Sequence, residues 1–215
     1  AYYYIVLAKN SAGKASAAHT AVPSWLTVTV NVIASEDGYI TESGENTNTG
    51  GSISSTATTI RLGDTSADRQ TLSILSFDTG VSLPDNATVR SAEVRIQRAS
   101  VTGTTPFNTH GTVWVDVITG AYSGSNALQT GDFQAASTAT QVASLSNATS
   151  NGQWSNGFLN STGNAAVNRT GRTQFKLRFN LDDNDDLGND YISYNSGNHA
   201  TSSSRPVLVL YYTVP

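Results

Sequence analysis

Apolar and polar residues alternate with period two along much of this chain. The clearest case is Trp25–Val32. There Leu26, Val28, Val30 and Val32 fall on one face, and Trp25, Thr27, Thr29 and Asn31 on the other, which predicts a half-buried strand. Two longer segments repeat the pattern. In Thr88–Arg98, Ala92, Val94 and Ile96 oppose Glu93, Arg95 and Gln97; in Thr112–Ile118, Val113, Val115 and Val117 oppose Trp114, Asp116 and Ile118. Thr173–Asn180 sets Phe175, Leu177 and Phe179 on one face. Pro206–Val214 is nearly continuously apolar, with Val207, Val209 and Tyr211 alternating with Leu208, Leu210 and Tyr212. That predicts a strand buried on both faces and central in its sheet.

Shorter strands are predicted over Thr59–Leu62, Gln70–Phe77, Ala139–Leu145 and Gly157–Leu159, with one helical turn near Asp132–Ala136. Val81–Asn86 holds Pro84 and Asp85 and reads as a turn. The polar stretch Glu42–Thr59 is expected to be a surface loop. At the start, Tyr2–Ala8 is followed by the polar turn Lys9–Lys14 and a second run to Thr20, which reads as a β-hairpin. No repeat of fixed period is present. Many short strands separated by Gly, Asn and Pro turns predict an all-β fold, a jelly-roll β-sandwich preceded by a hairpin or strand-donating segment. The expected organisation is an N-terminal hairpin over 1–22, a linking strand over 23–33 and the jelly roll over 34–215.

Composition sharpens this picture. Ser, Thr, Asn and Gly supply 91 of the 215 residues, and side chains of this kind compete for backbone hydrogen bonds and disfavour long helices. No apolar run approaches the roughly 20 residues of a membrane-spanning helix, so no membrane span is expected. With 12 basic and 16 acidic residues and no basic cluster, nucleic acid is not an expected partner. The chain has no Cys, which removes thiolate chemistry and disulfides together. A surface solvated by hydroxyls and amides suits an extracellular or cell-surface location. The chain begins without Met, at Ala1, which points to processing or a boundary inside a longer protein.

Candidate chemistry is sparse. Asp182, Asp183, Asp185 and Asp186, with Asn184 between them and Asp190 nearby, are hard oxygen donors at short spacing, as Ca²⁺ prefers. The EF-hand register fails, with Leu187 where Gly is needed and Ser193 in place of the bidentate Glu. The alternative is an Asx-rich turn whose carboxylates cap backbone N–H groups. His19, His110 and His199 are far apart, no Gly-x-Ser-x-Gly elbow occurs, and no carboxylate pair is marked for glycoside hydrolysis. No catalytic residue is expected, and no cofactor beyond a possible structural Ca²⁺. Trp25, Trp114 and Trp154, with Tyr39 and Tyr122, are candidates for stacking on sugar rings, Trp154 foremost, against the alternative of core packing, with Arg95 and Arg98 as a basic hint. Sequons stand at Asn86, Asn147, Asn160 and Asn168.

Two resemblances follow from these segments. Gly38-Tyr39-Ile40, Ile60-Arg61-Leu62-Gly63, Ser73–Asp78 and Leu83–Ala92 lie in the first half of the chain. Gln174–Phe179, Tyr194–Gly197 and Arg205–Leu208 lie in the second. Together they resemble a DNRLRE-type domain over about residues 37–215, a group overlapping a carbohydrate-binding module family with alginate-binding members. The resemblance implies a jelly-roll module of a larger secreted or surface protein and transfers no sugar site. Residues 2–16 are similar to the last hairpin of a fibronectin type III domain, without the strands that would pair with it.

An isolated hairpin is marginal in water and leaves unpaired edges. Truncation, docking within the chain, or donation to a neighbour would each satisfy it. In the last case Tyr2, Tyr4, Val6, Leu26, Val28 and Val30 form the assembly face, and head-to-tail repetition of the contact builds an open filament. The expected role is therefore a non-catalytic structural subunit whose partners are further copies of itself. The alternative is a carbohydrate-binding module of a larger enzyme or adhesin, with polysaccharide as partner.

Overall fold

A computed structural model describes residues 11–13 and 25–215. Most of the expected opening hairpin, including Tyr2, Tyr4 and Val6, lies outside the described residues, as does His19.

Within them the chain forms strands β1 (Leu26–Asn31), β2 (Gly38–Glu42), β3 (Gly50–Ser54), β4 (Thr59–Asp64), β5 (Gln70–Asp78) and β6 (Thr88–Thr102), followed by β7 (Val113–Thr119), β8 (Ala139–Leu145), β9 (Trp154–Phe158), β10 (Arg172–Phe179), β11 (Tyr191–Asn195) and β12 (Val207–Thr213). Three short helices lie in the connections: α1 (Thr79–Ser82), α2 (Pro106–Thr109) and α3 (Ser161–Ala166). All strand pairs are antiparallel, in the order β1-β12-β6-β11-β4-β5-β10-β7-β8, with β2, β3 and β9 branching from it. The long strand β6 curls the sheet. Its first part pairs with β12 on one side and β9 on the other, and its last part pairs with β11. The chain then nearly closes on itself, because Ser146 N donates to Asn156 O (3.0 Å) and Asn160 N to Val142 O (2.7 Å), joining β8 to β9. The fold is all-β, a curled antiparallel sheet of the sandwich and jelly-roll class.

The predicted alternation is realised in the core. Val94 and Ile96 of β6, Val113, Val115 and Val117 of β7, Phe175 and Leu177 of β10 and Leu208 and Leu210 of β12 all turn inward and are buried. Phe77 and Phe175 meet edge to face at 5.9 Å. Among the described residues β12 is not central as expected; it lies between β6 and the terminal strand β1. Its other edge is satisfied by β1, which pairs along its length from Leu26 opposite Tyr212 to Asn31 opposite Val207. The stretch 42–59 is also more than a loop, since it contains β3. That strand escapes a periodicity search because Gly50-Gly51-Ser52-Ile53-Ser54 has one apolar side chain, and it is exposed. Glu42 organises the turn between β2 and β3, its buried carboxylate accepting from Asn48 N, Thr47 Oγ1 and Gln70 N.

A second, smaller core lies on the other face of the β2–β5 pair. Residues 120–137 fold over it, packing Tyr122, Leu128 and Phe133 onto Ile40, Leu72 and Ile74. Lys176, outward-facing on β10, pins this segment: its Nζ donates to Phe133 O (2.7 Å) and Ala135 O (2.8 Å) and lies 4.7 Å from the Tyr122 ring centre. Burial pulls its pKa down to about 8. Lys176→Met keeps the stem and leaves two carbonyls unpaired, so a loss of about 2–3 kcal/mol is expected. Limited proteolysis within 120–137 should accelerate in the variant.

Candidate functional site

Trp154, the first residue of β9, follows the turn at Asn151–Gly152. β9 pairs with β6 so that Trp154 stands opposite Gln97, Asn156 opposite Arg95 and Phe158 opposite Glu93. Period-two alternation turns Ser155 and Gly157 inward, where both are buried, and sends Trp154, Asn156 and Phe158 outward. Gly157 is required at its position, since a Cβ there would lie 2.5 Å from Ser144 O of β8. Trp154 is 37% exposed and Phe158 58%, so two aromatic rings flank an amide on one strand face.

Between β9 and β12 the same face opens into a shallow groove of about 490 Å³, lined by Glu93, Arg95, Trp154, Asn156, Ser203 and Val207. Its polar groups are fixed in place. Arg95 Nη2 donates to Glu93 Oε2 (2.6 Å) and Asn156 Nδ2 to Glu93 Oε1 (2.9 Å). The Glu93 carboxylate holds Arg95 further in its charged form. Gln97 donates to Gly152 O and accepts from Asn195 Nδ2, which braces the turn before Trp154. Further along the face stand Tyr211, half-buried, and the exposed Thr27, Thr29 and Asn31 of β1. The arrangement offers stacking surfaces together with oriented donors and acceptors. It holds no nucleophile beside a base.

The other candidate aromatics stand elsewhere. Trp114 of β7 is half-buried, opposite Arg178 of β10, with Nε1 donating to Asn180 Oδ1 (3.4 Å). Nearby is an open groove of about 650 Å³ lined by, among others, Asp116, Gln134, Lys176, Arg178 and Asn180. Both of its cations are already engaged, Arg178 with Asp116 at 2.9 Å and Lys176 with two carbonyls, and Asp182 also lines it. Trp114 lines neither this groove nor the one beside Trp154. Tyr122 is fully buried, its hydroxyl 2.9 Å from Ser137 Oγ, and its ring is not available for stacking on a ligand. Arg98 turns away from the Trp154 groove, donating to Asn151 Oδ1 and Ala148 O, whereas Arg95 lies in it.

The acidic run is organised by N–H donors. Asp183 Oδ1 accepts from Asp185 N, Asp186 Oδ1 from Gly188 N, and Asp186 Oδ2 and Asp190 Oδ2 from Asn184 Nδ2. Asp185 and Leu187 take positive φ, as tight Asx turns require. Asp183 is nevertheless shifted toward protonation, by burial and by Asp182 and Asp185 beside it. Among the described residues, no three His, Asp or Glu side chains converge into a metal-binding group. His110 is buried against Asp64, and His199 lies in a turn, where its Nδ1 accepts from Thr201 N. Of the sequons, Asn86, Asn147 and Asn160 are exposed, and Asn160 caps α3 by accepting from Gly163 N (2.9 Å).

The alternation of Val28, Val30 and Val32 is used inside the chain. Val30 and Val32 are buried and Val28 packs on the main core, while Leu26 stays 42% exposed. Phe158 and Asn156 carry no marked chemistry in the sequence, and Glu93 is marked there only as an outward-facing carboxylate. The i, i+2, i+4 series Trp154, Asn156, Phe158 was the available signal, hidden because its inward partners are Ser and Gly.

Fold and site together define a class, an all-β domain with an aromatic and hydrogen-bonding sheet face. No family model matches the chain, and no curated protein matches it either.

Proposed function

We propose that this chain is a non-catalytic, extracellular or cell-surface module that binds polysaccharide on the outer face of β9 and β6. Trp154 and Phe158 act as platforms for sugar rings, and Glu93, Arg95 and Asn156 hydrogen-bond the hydroxyls at the groove's edge. The observation that carries this reading is the exposure of two aromatic side chains on one short strand, beside polar groups already held in position. Exposed aromatics gain by covering an apolar ring face while fixed polar groups set orientation. The composition and the resemblance to carbohydrate-binding modules support it further.

The test is affinity electrophoresis through gels containing neutral or acidic polysaccharides. The protein is expected to be retarded by at least one polymer, and Trp154→Ala to weaken that binding about tenfold or more. Unretarded migration in every gel counts against the reading.

A second reading is favoured by one specific observation. Among the described residues β1 pairs on one edge only, and Trp25 and Leu26 at its start are 55% and 42% exposed. An open edge is a template for strand addition by a further copy of the chain. On that reading the protein is a surface-layer or filament subunit. Electron microscopy should then show filaments that disappear when residues 1–20 are deleted.

A further inference from the structure

Arg61 of β4 differs from its fellow arginines. Arg95, Arg172 and Arg178 are ion-paired, and Arg90, Arg98, Arg169 and Arg205 donate to oxygens of the protein. Arg69 has no such partner and is exposed. Arg61 is only partly exposed, yet among the described residues no carboxylate and no acceptor meets its guanidinium, and its Nε is buried without a hydrogen bond. Its two neighbours are aromatic: the guanidinium carbon lies 5.2 Å from the ring centre of Tyr39 and 4.7 Å from that of Tyr191.

The strands create this arrangement. Ile60 and Leu62 turn into the core, so Arg61 turns out. β11 sets Ser193 opposite Arg61, and Tyr191 one pleat along on the same face. Tyr39 comes from β2, whose hairpin with β3 lies alongside. Asp64 of β4 falls on the opposite face by the same alternation, with Leu62; Glu42 of β2 accepts from Asn48 N and Gln70 N, and Asp190, just before β11, accepts from Thr104 N and Asn184 Nδ2. The cross-strand neighbours on the outer face are Ser54, Ser100, Thr102 and Ser193, all neutral hydroxyls.

Two aromatic contacts hold the guanidinium and leave N–H donors without acceptors. A desolvated donor with no acceptor is unfavourable, and a guanidinium fork matches the paired oxygens of an oxyanion. We propose that Tyr39, Arg61 and Tyr191 form an oxyanion-binding site, taking a carboxylate or a sulfate group through the Nη groups of Arg61, the part of the guanidinium not buried with Nε. The site goes beyond the sugar-binding reading of the β9 face and does not depend on it.

The experiment uses the intact wild-type chain labelled with ¹⁵N. The Nε–Hε signals of its arginines are followed while sodium acetate or sodium sulfate replaces sodium chloride at constant ionic strength. The Arg61 signal, assigned by triple-resonance spectroscopy on the wild-type chain and checked by its loss in Arg61→Lys, is expected to shift and saturate with at least one of the two anions. The signal of the exposed Arg69 should show no saturable shift. Saturation with acetate alone assigns a carboxylate ligand, and saturation with sulfate alone a sulfate ester. Tyr39→Leu removes one aromatic contact and should weaken the saturating anion about fivefold. If the Arg61 signal moves no more than that of Arg69 with either anion, the proposal is overturned. The wild-type titration decides this even if a variant fails to fold.

Discussion

Replacing His110 with alanine is expected to lower the free energy of unfolding by about 3–5 kcal/mol, one of the largest single-residue effects in the domain. His110 follows α2 and is completely buried; its Nε2 lies 3.5 Å from Asp64 Oδ2, and Asp64 is completely buried too. The imidazole is further held by Thr109 Oγ1 at 2.7 Å from Nδ1 and by the ring of Phe179 at 5.7 Å. Asp64 Oδ1 accepts from Asp190 N (3.0 Å), so the pair ties the end of β4 to the segment entering β11. Burial pushes the Asp64 carboxyl toward protonation, and His110 is the main influence opposing it. Alanine removes that influence, opens a cavity beside Phe179 and strands a buried carboxylate. Asp64→Asn in the same chain removes the stranded charge, so the double variant should lose less than the sum of the two single losses. Urea unfolding of the four proteins measures this, and a loss under 1 kcal/mol for His110→Ala would show that the pair stabilises little.

The second large effect is on pH. Asp37, just before β2, is fully buried, accepts from Gly197 N through Oδ2 (2.6 Å), and has no partner at Oδ1. Burial raises its pKa from 3.8 to about 7, against the opposing hydrogen bonds and the charge of Arg205. The folded protein therefore keeps a proton here that the unfolded chain has released, between about pH 4 and pH 7. The stabilisation this gives is complete below the lower value and is lost progressively as pH rises to the upper one. The full swing is about 4 kcal/mol. Asp64, Asp132 and Asp183 are also shifted upward and act in the same direction. The domain should thus melt at a higher temperature at pH 5 than at pH 8, and Asp37→Asn should flatten most of that slope. An equal slope in the variant would assign the effect to the other carboxylates.

Much of the architecture was legible because its strands bury one face. Val94 and Ile96, the Val113–Val117 series and Phe175–Phe179 announce themselves by alternation. β11 was missed because Tyr191-Ile192-Ser193-Tyr194-Asn195 is short and directly follows the acidic run. β3 was missed because its faces are mostly hydroxyl and glycine. The site was legible in part. Trp154 and Arg95 were marked as separate hints, and it is the register of β9 on β6 that sets them in one groove. Tyr122 could not be told from a surface aromatic, because what buries it is the segment 120–137 folding back over β2 and β5. A long-range pair such as His110 with Asp64, or Arg61 between Tyr39 and Tyr191, leaves no local pattern in the chain at all.

The proposed seating of a sugar polymer on Trp154 of the β9 face can be watched directly. Replacing Trp25 and Trp114 with Phe leaves Trp154 as the sole indole, so its emission reports that face alone. On titration with the polysaccharide that most retards the protein, a saturable shift of emission to shorter wavelength is expected as the ring is covered. Binding that saturates while the Trp154 emission stays unchanged would contradict it.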